Sequence, residues 1–415
     1  VPRDRPTILQ VIPRLDAGGA ELSVVEIAGA VARAGGRALV LAEPGRLVAT
    51  VEAVGGEVLP FPAAAKNPLR ILANARRIAR IAAREEVDLI HARSRAPAWS
   101  ALMAARRLAL PFVTTYHGAY SETNAVKRLY NSVMARGHVV IANSQYTARL
   151  IAARYGTPPE RFVVIHRGVD IARFDPVRIA PERVAVLRQA WGVAPGQRVI
   201  LQAARLTRWK GQGVLIEAAA RLLAQGQIGD ATVVLAGDAQ GRDSYVEELR
   251  GQIGRLGLQG RVHLVGHVQD MAAAYMAAHV TVIASTEPEA FGRTAIEAAA
   301  VGCPVVATDI GAPPETVLAG PAAGEGATGW LVPPGDAAAL AARLAQALAL
   351  PAPARARMGD RARERAVASF STESMQQSTL GVYDRLLATT LQARLGKATP
   401  KLPPDSSVSV FPRRS

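Results

Sequence analysis

Short β-branched runs separated by longer alanine-rich stretches recur along the chain, and this alternation limits the fold more than any other feature. In the first half the runs are TILQVI (7–12), RALVLA (37–42), DLIHA (88–92), FVTTYH (112–117), HVVIAN (138–143) and FVVIH (162–166). Each is apolar at consecutive positions, so each must be covered on both faces, as parallel strands flanked by helices are. Strands alternating with helices of this length predict a doubly wound α/β sheet.

The pattern breaks around residues 175–197, where Pro176, Pro181 and Pro195 fall, and then restarts. RVILQAA (198–204), ATVVLAG (231–237), RVHLVG (261–266), VTVIAS (280–285), CPVVAT (303–308) and GWLVP (329–333) predict a second parallel sheet. A chain of 415 residues exceeds one comfortable core. The expected division is therefore an N-terminal domain over 1–183 and a C-terminal domain over 184–371. A last helical stretch, 372–395, is expected to pack back on the first domain, and a Pro/Ser-rich tail, 396–415, to be disordered. Open α/β sheets bind ligands outside the carboxyl ends of their strands. Two of them facing each other would form a central cleft there.

Composition narrows the setting. The single cysteine, Cys303, rules out an intrachain disulfide and fits a reducing compartment. The opening VPRDRPTILQVIP has charges and no sustained apolar run, and the alanine-rich DAAALAARLAQALAL is broken by Arg343. Neither a signal segment nor a membrane-spanning helix is expected, and the expected location is cytoplasmic or peripheral on the inner face of the cytoplasmic membrane. The net charge of +15 is uneven, with roughly +11 on residues 1–185. Such an excess points to an acidic partner for the first half. In NPLRILANARRIARIAAREE, Arg70, Arg77, Arg80 and Arg84 share one helical face beside Ile71, Ile78 and Ile81, and Arg76 adds to the charge. That face suits an anionic membrane surface, with solvation of an ordinary surface helix as the plain alternative.

Two stretches of the second half carry chemistry. QAARLTRWKGQGVLIEA (202–218) puts Arg205 and Lys210 in a loop between strand and helix, with Gly211 and Gly213 at the helix mouth. Two cations in such a loop can cradle a diphosphate, although the spacing of a Walker loop is absent. EAFGRTAIE (289–297) sets Glu289 before an apolar helix and Glu297 within it. Phe291, Gly292 and Arg293 fall at the helix start, where free amides meet anions or sugar hydroxyls. A carboxylate at Glu297 could accept both hydroxyls of a ribose. Left without a partner on an apolar face, it would be costly to bury.

Together these residues resemble the family 4 retaining glycosyltransferases, which have the GT-B fold of two Rossmann-like domains. The family's Glu-x7-Glu motif reads EPEAFGRTAIEAAAVGCPVVATDIGAPPE here, and its Arg-x4-Lys pair lies in ARLTRWK. LAGD and LVGHV stand at the expected intervals; IPRLDAGGAE, TTYHG and ANSQYTA…VIHRGVD match the N-terminal half, so the likeness spans about residues 7–390. The resemblance implies that Arg205 and Lys210 hold the donor diphosphate and stabilise it as leaving group. Glu297 would take the ribose and Glu289 the transferred sugar, helped by the amides of Phe291 and Gly292. The main chain at His267-Val268 would meet the base. Gly18 and Gly19 would let the first loop approach the phosphate or acceptor, and His117 would lie beside the sugar. Two departures stand out: Arg167 where the family often has Asn, and Ala312 where Gly is frequent.

No Asp-x-Asp pair occurs and the seven histidines lack ligand spacing, so neither a metal nor an organic cofactor is expected. His91, His138, His166, His263 and His279 read as structural. The expected partners are a nucleotide-sugar donor and an anionic glycan or glycolipid acceptor. IPRLDAGGAE resembles enzymes of lipopolysaccharide core assembly. A nucleotide-sugar epimerase or phosphorylase of the same fold is the nearest alternative, though a phosphorylase needs a cofactor lysine and the chain has five lysines. Nucleic-acid binding would need aromatics interleaved with the basic residues, and aromatics are only 5% and scattered.

Overall fold

The computed structural model describes residues 5–16, 18–118, 120, 122–320, 324 and 326–397. Most of the expected tail lies outside the described residues. The first sheet has seven parallel strands: β1 (Thr7–Arg14), β2 (Arg37–Glu43), β3 (Glu57–Pro60), β4 (Leu89–Ala92), β5 (Phe112–Tyr116), β6 (Val139–Ala142) and β7 (Phe162–Val164). Their order is β3-β2-β1-β4-β5-β6-β7. The second sheet has six: β8 (Val199–Ala203), β9 (Thr232–Ala236), β10 (Val262–Gly266), β11 (Val280–Ile283), β12 (Val305–Thr308) and β13 (Gly329–Val332). They run β10-β9-β8-β11-β12-β13, again all parallel. This is the expected α/β class with two Rossmann-like sheets.

One strand, β3, lacks the expected apolar signature. It lies at the sheet edge, and its four residues EVLP are exposed or half-buried. An edge strand covered on fewer sides needs no continuous apolar run. The central strands are the opposite case: Ile8, Leu9 and Val11 of β1 and Leu89 and Ile90 of β4 are fully buried.

In each sheet the strand order reverses once, between β1 and β4 and between β8 and β11. Neighbouring loops diverge at such a switch point and leave a crevice. The two halves are tied beside these crevices. Val169 N donates to Phe370 O and Thr372 N to Val169 O, and Gly168 packs so tightly on Thr372 that a β-carbon would collide with its backbone. Glu315 accepts from the amides of Gln145 (2.7 Å) and Tyr146 (2.6 Å) at the start of the helix Gln145–Tyr155. His166 Nε2 meets the same carboxylate at 3.2 Å, and Ser144 Oγ donates to Ala290 O.

The stretch after Phe370 forms two helices, Thr372–Leu387 and Leu391–Lys397. They break at Ala388, which has a positive φ of 55°. Met375, Leu380, Val382, Tyr383, Leu391 and Leu395 join Ile8, Ile27 and Val31 in one buried cluster, so this C-terminal segment completes the core of the first sheet. No single helix among the described residues is long and apolar enough to cross a membrane.

Candidate active site

The second crevice opens between the loop after β8 and the loop after β11. The β8 loop turns at Gly211, which has φ +71° and where a β-carbon would overlap Ala284 O. That close approach brings the two loops together: Thr286 N donates to Trp209 O at 2.7 Å. Lys210 Nζ then reaches Glu289 Oε1 at 2.6 Å, with both side chains largely buried, and Ser285 Oγ donates to the same carboxylate oxygen. Glu289 is held from behind by Gly311, which forms a parallel bridge to it and leaves no room for a β-carbon against the Glu289 backbone. Removing two charges from water costs several kcal/mol, and a short contact with a further hydrogen bond offsets that cost.

Arg205 lies on the same β8 loop, with its backbone oxygen fixed by Gln212 Nε2 at 2.9 Å. Its side chain is exposed and forms no ion pair among the described residues. The β11 loop ends at Gly292, φ +78°, which starts the helix Arg293–Ala300. Glu297 follows on the second turn. Tyr275 Oη donates to Glu297 Oε2 at 3.1 Å and Arg293 Nε faces Oε1 at 3.4 Å. Burial raises the Glu297 carboxyl above its ordinary value, with Arg293 and Tyr275 opposing. Phe291 packs its ring inward against His166 and Phe370 and is buried. Val268 is buried in the same cluster as Phe291 and Tyr275, while its neighbour His267 is exposed.

The first crevice is built differently. Gly18 and Gly19 open the helix Gly19–Arg33 after β1. A β-carbon on Gly19 would strike Arg167 Nη1 and come within 3.8 Å of Arg293 Cδ, so both guanidinium chains crowd this loop. Arg93, following β4, is 3% exposed; its Nη2 donates to Ser23 Oγ and its Nη1 lies 3.5 Å from both ring nitrogens of His91. His117, following β5, accepts at Nδ1 from Arg167 Nη2 at 2.8 Å. Neither Arg93 nor Arg167 has an ion pair among the described residues, and burial pulls both down to about 10. Glu26 is the carboxylate nearest in charge, and burial raises it despite Arg293, Arg167 and Arg93. The nitrogens Arg93 Nε, Arg167 Nε and His117 Nε2 are buried without a hydrogen-bond partner.

The structure thus brings Lys210 to Glu289, Glu297 to Arg293, Gly19 to Arg167 and Arg293, and Arg167 to His117. His91 lies behind Arg93, fully buried between Tyr383 Oη and Thr115 Oγ1 at 2.7 Å each. Sequence reading gave no role to Arg93, Arg167, Arg293 or Tyr275. Arg167 and Arg293 stand inside quoted motifs, so they carried a signal; Arg93 and Tyr275 carried none.

Comparison with known proteins decides the family. Residues 17–173 match the model for Glycosyltransferase Family 4, and residues 185–365 match Glycosyl transferases group 1. A D-inositol 3-phosphate glycosyltransferase of Kineococcus radiotolerans is 30% identical over 408 residues, covering 89% of this chain and 91% of that protein. The chain belongs to the GT-B glycosyltransferases. A solved glycosyltransferase from Rickettsia africae superimposes with a TM-score of 0.85 at 32% identity, over 94% of this chain and 100% of that one. Anabaena HepE, solved with UDP and glucose, gives 0.77 at 29%, over 91% and 99%. In this glycosyltransferase the Glu-x7-Glu motif and the Arg-x4-Lys pair therefore occupy the two loops of one switch point.

Proposed function

We propose that the cleft transfers a hexosyl unit from a nucleoside diphosphate sugar to an anionic glycan or glycolipid of the cell envelope, lipopolysaccharide core included. Transfer proceeds with retention and without a metal ion. The observation that carries this reading is the contact between Lys210 and Glu289 at the β8/β11 switch point, with Arg205, exposed and without an ion pair among the described residues, on the same loop. An arriving diphosphate offers Lys210 and Arg205 an anion, and a sugar hydroxyl offers Glu289 a donor. HepE, solved with UDP and glucose, supports a donor of that class.

In this reading Glu297 accepts the ribose hydroxyls, the amides at Phe291 and Gly292 face the sugar, and the main chain at Val268 meets the base. Arg205 and Lys210 stabilise the charge that grows on the departing diphosphate. Glu289 is engaged by Lys210 and Ser285, which argues against its attacking the sugar. The acceptor hydroxyl instead attacks from the face the diphosphate leaves, and its proton passes to a leaving-group oxygen. Gly18, Gly19 and His117 border the sugar and acceptor. The cationic charge of Arg93 and Arg167, neither of which has an ion pair among the described residues, favours an acceptor that carries a negative group.

Exposed Arg70, Arg76, Arg77, Arg80 and Arg84 on the helix Pro68–Arg84, with Leu69 79% exposed at its start, suit docking on an anionic membrane from the cytoplasmic side. The transfer is tested by incubating the protein with UDP-glucose or a GDP-sugar together with a lipopolysaccharide-core glycan acceptor and reading the anomeric configuration of the new glycosidic bond by NMR. Retained configuration, undiminished in excess chelator, is the expected result. An inverted product, or activity that returns only with added manganese or magnesium, would overturn it.

A further inference from the structure

His117 and Arg167 come from separate segments, after β5 and after β7, and meet at 2.8 Å between Nδ1 and Nη2. A guanidinium has donors and no acceptor. Nδ1 must therefore present its lone pair, and a neutral ring with that lone pair carries its hydrogen on Nε2. Nε2 is buried and bonded to no protein atom. Every group around the ring favours the neutral form. Burial comes first, then Arg167, Arg93 and His91; Tyr120, whose hydroxyl meets the His117 backbone, is itself kept neutral by burial. Protonating the ring would place a hydrogen on Nδ1 directly against the Arg167 donor. An asparagine at position 167, frequent in the family, could either donate or accept and would leave the ring's tautomer open. Arginine removes that choice.

We propose that Arg167 is a positioning residue that fixes His117 as a neutral Nε2–H donor aimed at an oxygen of the bound sugar. The contact with sugar rests on the proposed transfer reaction, whereas the fixed tautomer does not. The test uses the full chain labelled with ¹⁵N-histidine, the His117 signals being those lost in His117→Gln. In the parent protein the ring should show only the Nε2–H form from about pH 8 down to about pH 5, where an ordinary imidazole titrates. Arg167→Met fills similar space without a donor; both neutral tautomers should then appear, and protonation should move to higher pH. Arg167→Lys keeps an N–H donor and should keep the single form. Turnover of the nucleotide sugar at saturating concentration should fall ~10-fold in Arg167→Met, the scale of one hydrogen bond to a charged group, and largely recover in Arg167→Lys. An Nδ1–H ring in the parent protein, or an unchanged single tautomer in Arg167→Met, would overturn the proposal. Because the ring signals are read without substrate, a failed transfer reaction leaves them standing, and the reverse also holds.

Discussion

The two switch points have the same topology and opposite electrostatics. At β8/β11 the charges are matched: Lys210 meets Glu289, and Arg293 meets Glu297. At β1/β4 Arg93 and Arg167 have no carboxylate within ion-pair distance among the described residues, and Glu26 is a carboxylate whose field reaches both. A matched pair can exchange partners when a ligand brings both an anion and hydroxyl donors. An unmatched cluster instead keeps cations desolvated without a counter-charge at contact distance, which is costly. The contrast teaches that one fold element can carry two different charge arrangements by changing only which partners its loops supply.

The contrast can be broken most severely at the matched side. Lys210→Ala or Arg205→Ala should lower turnover by ~100-fold or more, the scale of losing one preorganised donor to a developing negative charge. Near-normal turnover at saturating donor in either variant would remove the proposed leaving-group role. Next in size, Glu297→Gln should raise the donor dissociation constant by ~10-fold, as expected for a hydrogen bond to an ionised carboxylate. Its pH dependence sharpens the point. Burial raises this carboxyl above its ordinary value of 4.5, so the ionised form that accepts ribose is lost as pH falls through that raised value. Donor affinity should therefore weaken on acidification while the pH is still above 4.5, and the dependence should vanish in Glu297→Gln. Affinity that is flat with pH in the parent protein would contradict the assignment.

The first domain also carries the basic surface helix Pro68–Arg84. Neutralising Arg77 to Gln should weaken binding to anionic vesicles by about 5-fold, since one basic residue near such a surface contributes about 1 kcal/mol. Equal binding of the parent protein to neutral vesicles would leave the arginines as solvated side chains. The smallest effect belongs to the tie between the halves. Burial pushes the Glu315 carboxyl upward, but His166 and the amides of Tyr146 and Gln145 outweigh it and hold the group below its ordinary value. Its stabilisation is then present above the ordinary pKa and lost as pH falls through the depressed one. Glu315→Gln should lower the thermal midpoint by about 2–4 °C near neutral pH, a difference that shrinks in acid; an unchanged midpoint at neutral pH would show the tie to be neutral in energy.

The same contrast explains what could be read from the sequence. Twelve of the strands are apolar runs and were legible; β3 was not, because its four residues EVLP are exposed or half-buried and it is held by pairing with β2. The matched side was legible because Arg205 and Lys210 share one loop, and Glu289 and Glu297 share one loop and helix, so their spacing is local. That Lys210 would touch Glu289 was not legible, since the contact depends on how closely Gly211 lets two loops approach. The unmatched side draws Arg93, His117 and Arg167 from three distant segments, and nothing local in the sequence joins them.

The central claim is that the β8/β11 switch point binds a nucleoside diphosphate sugar, and calorimetric titration of the full chain with UDP-glucose and with a GDP-sugar tests it most directly. One of the two should bind with a dissociation constant within the ordinary substrate range of about 1 μM to 1 mM, and Lys210→Ala should weaken that binding by ~10-fold or more. Failure of both to bind, or equal affinity in the parent protein and in Lys210→Ala, would contradict it.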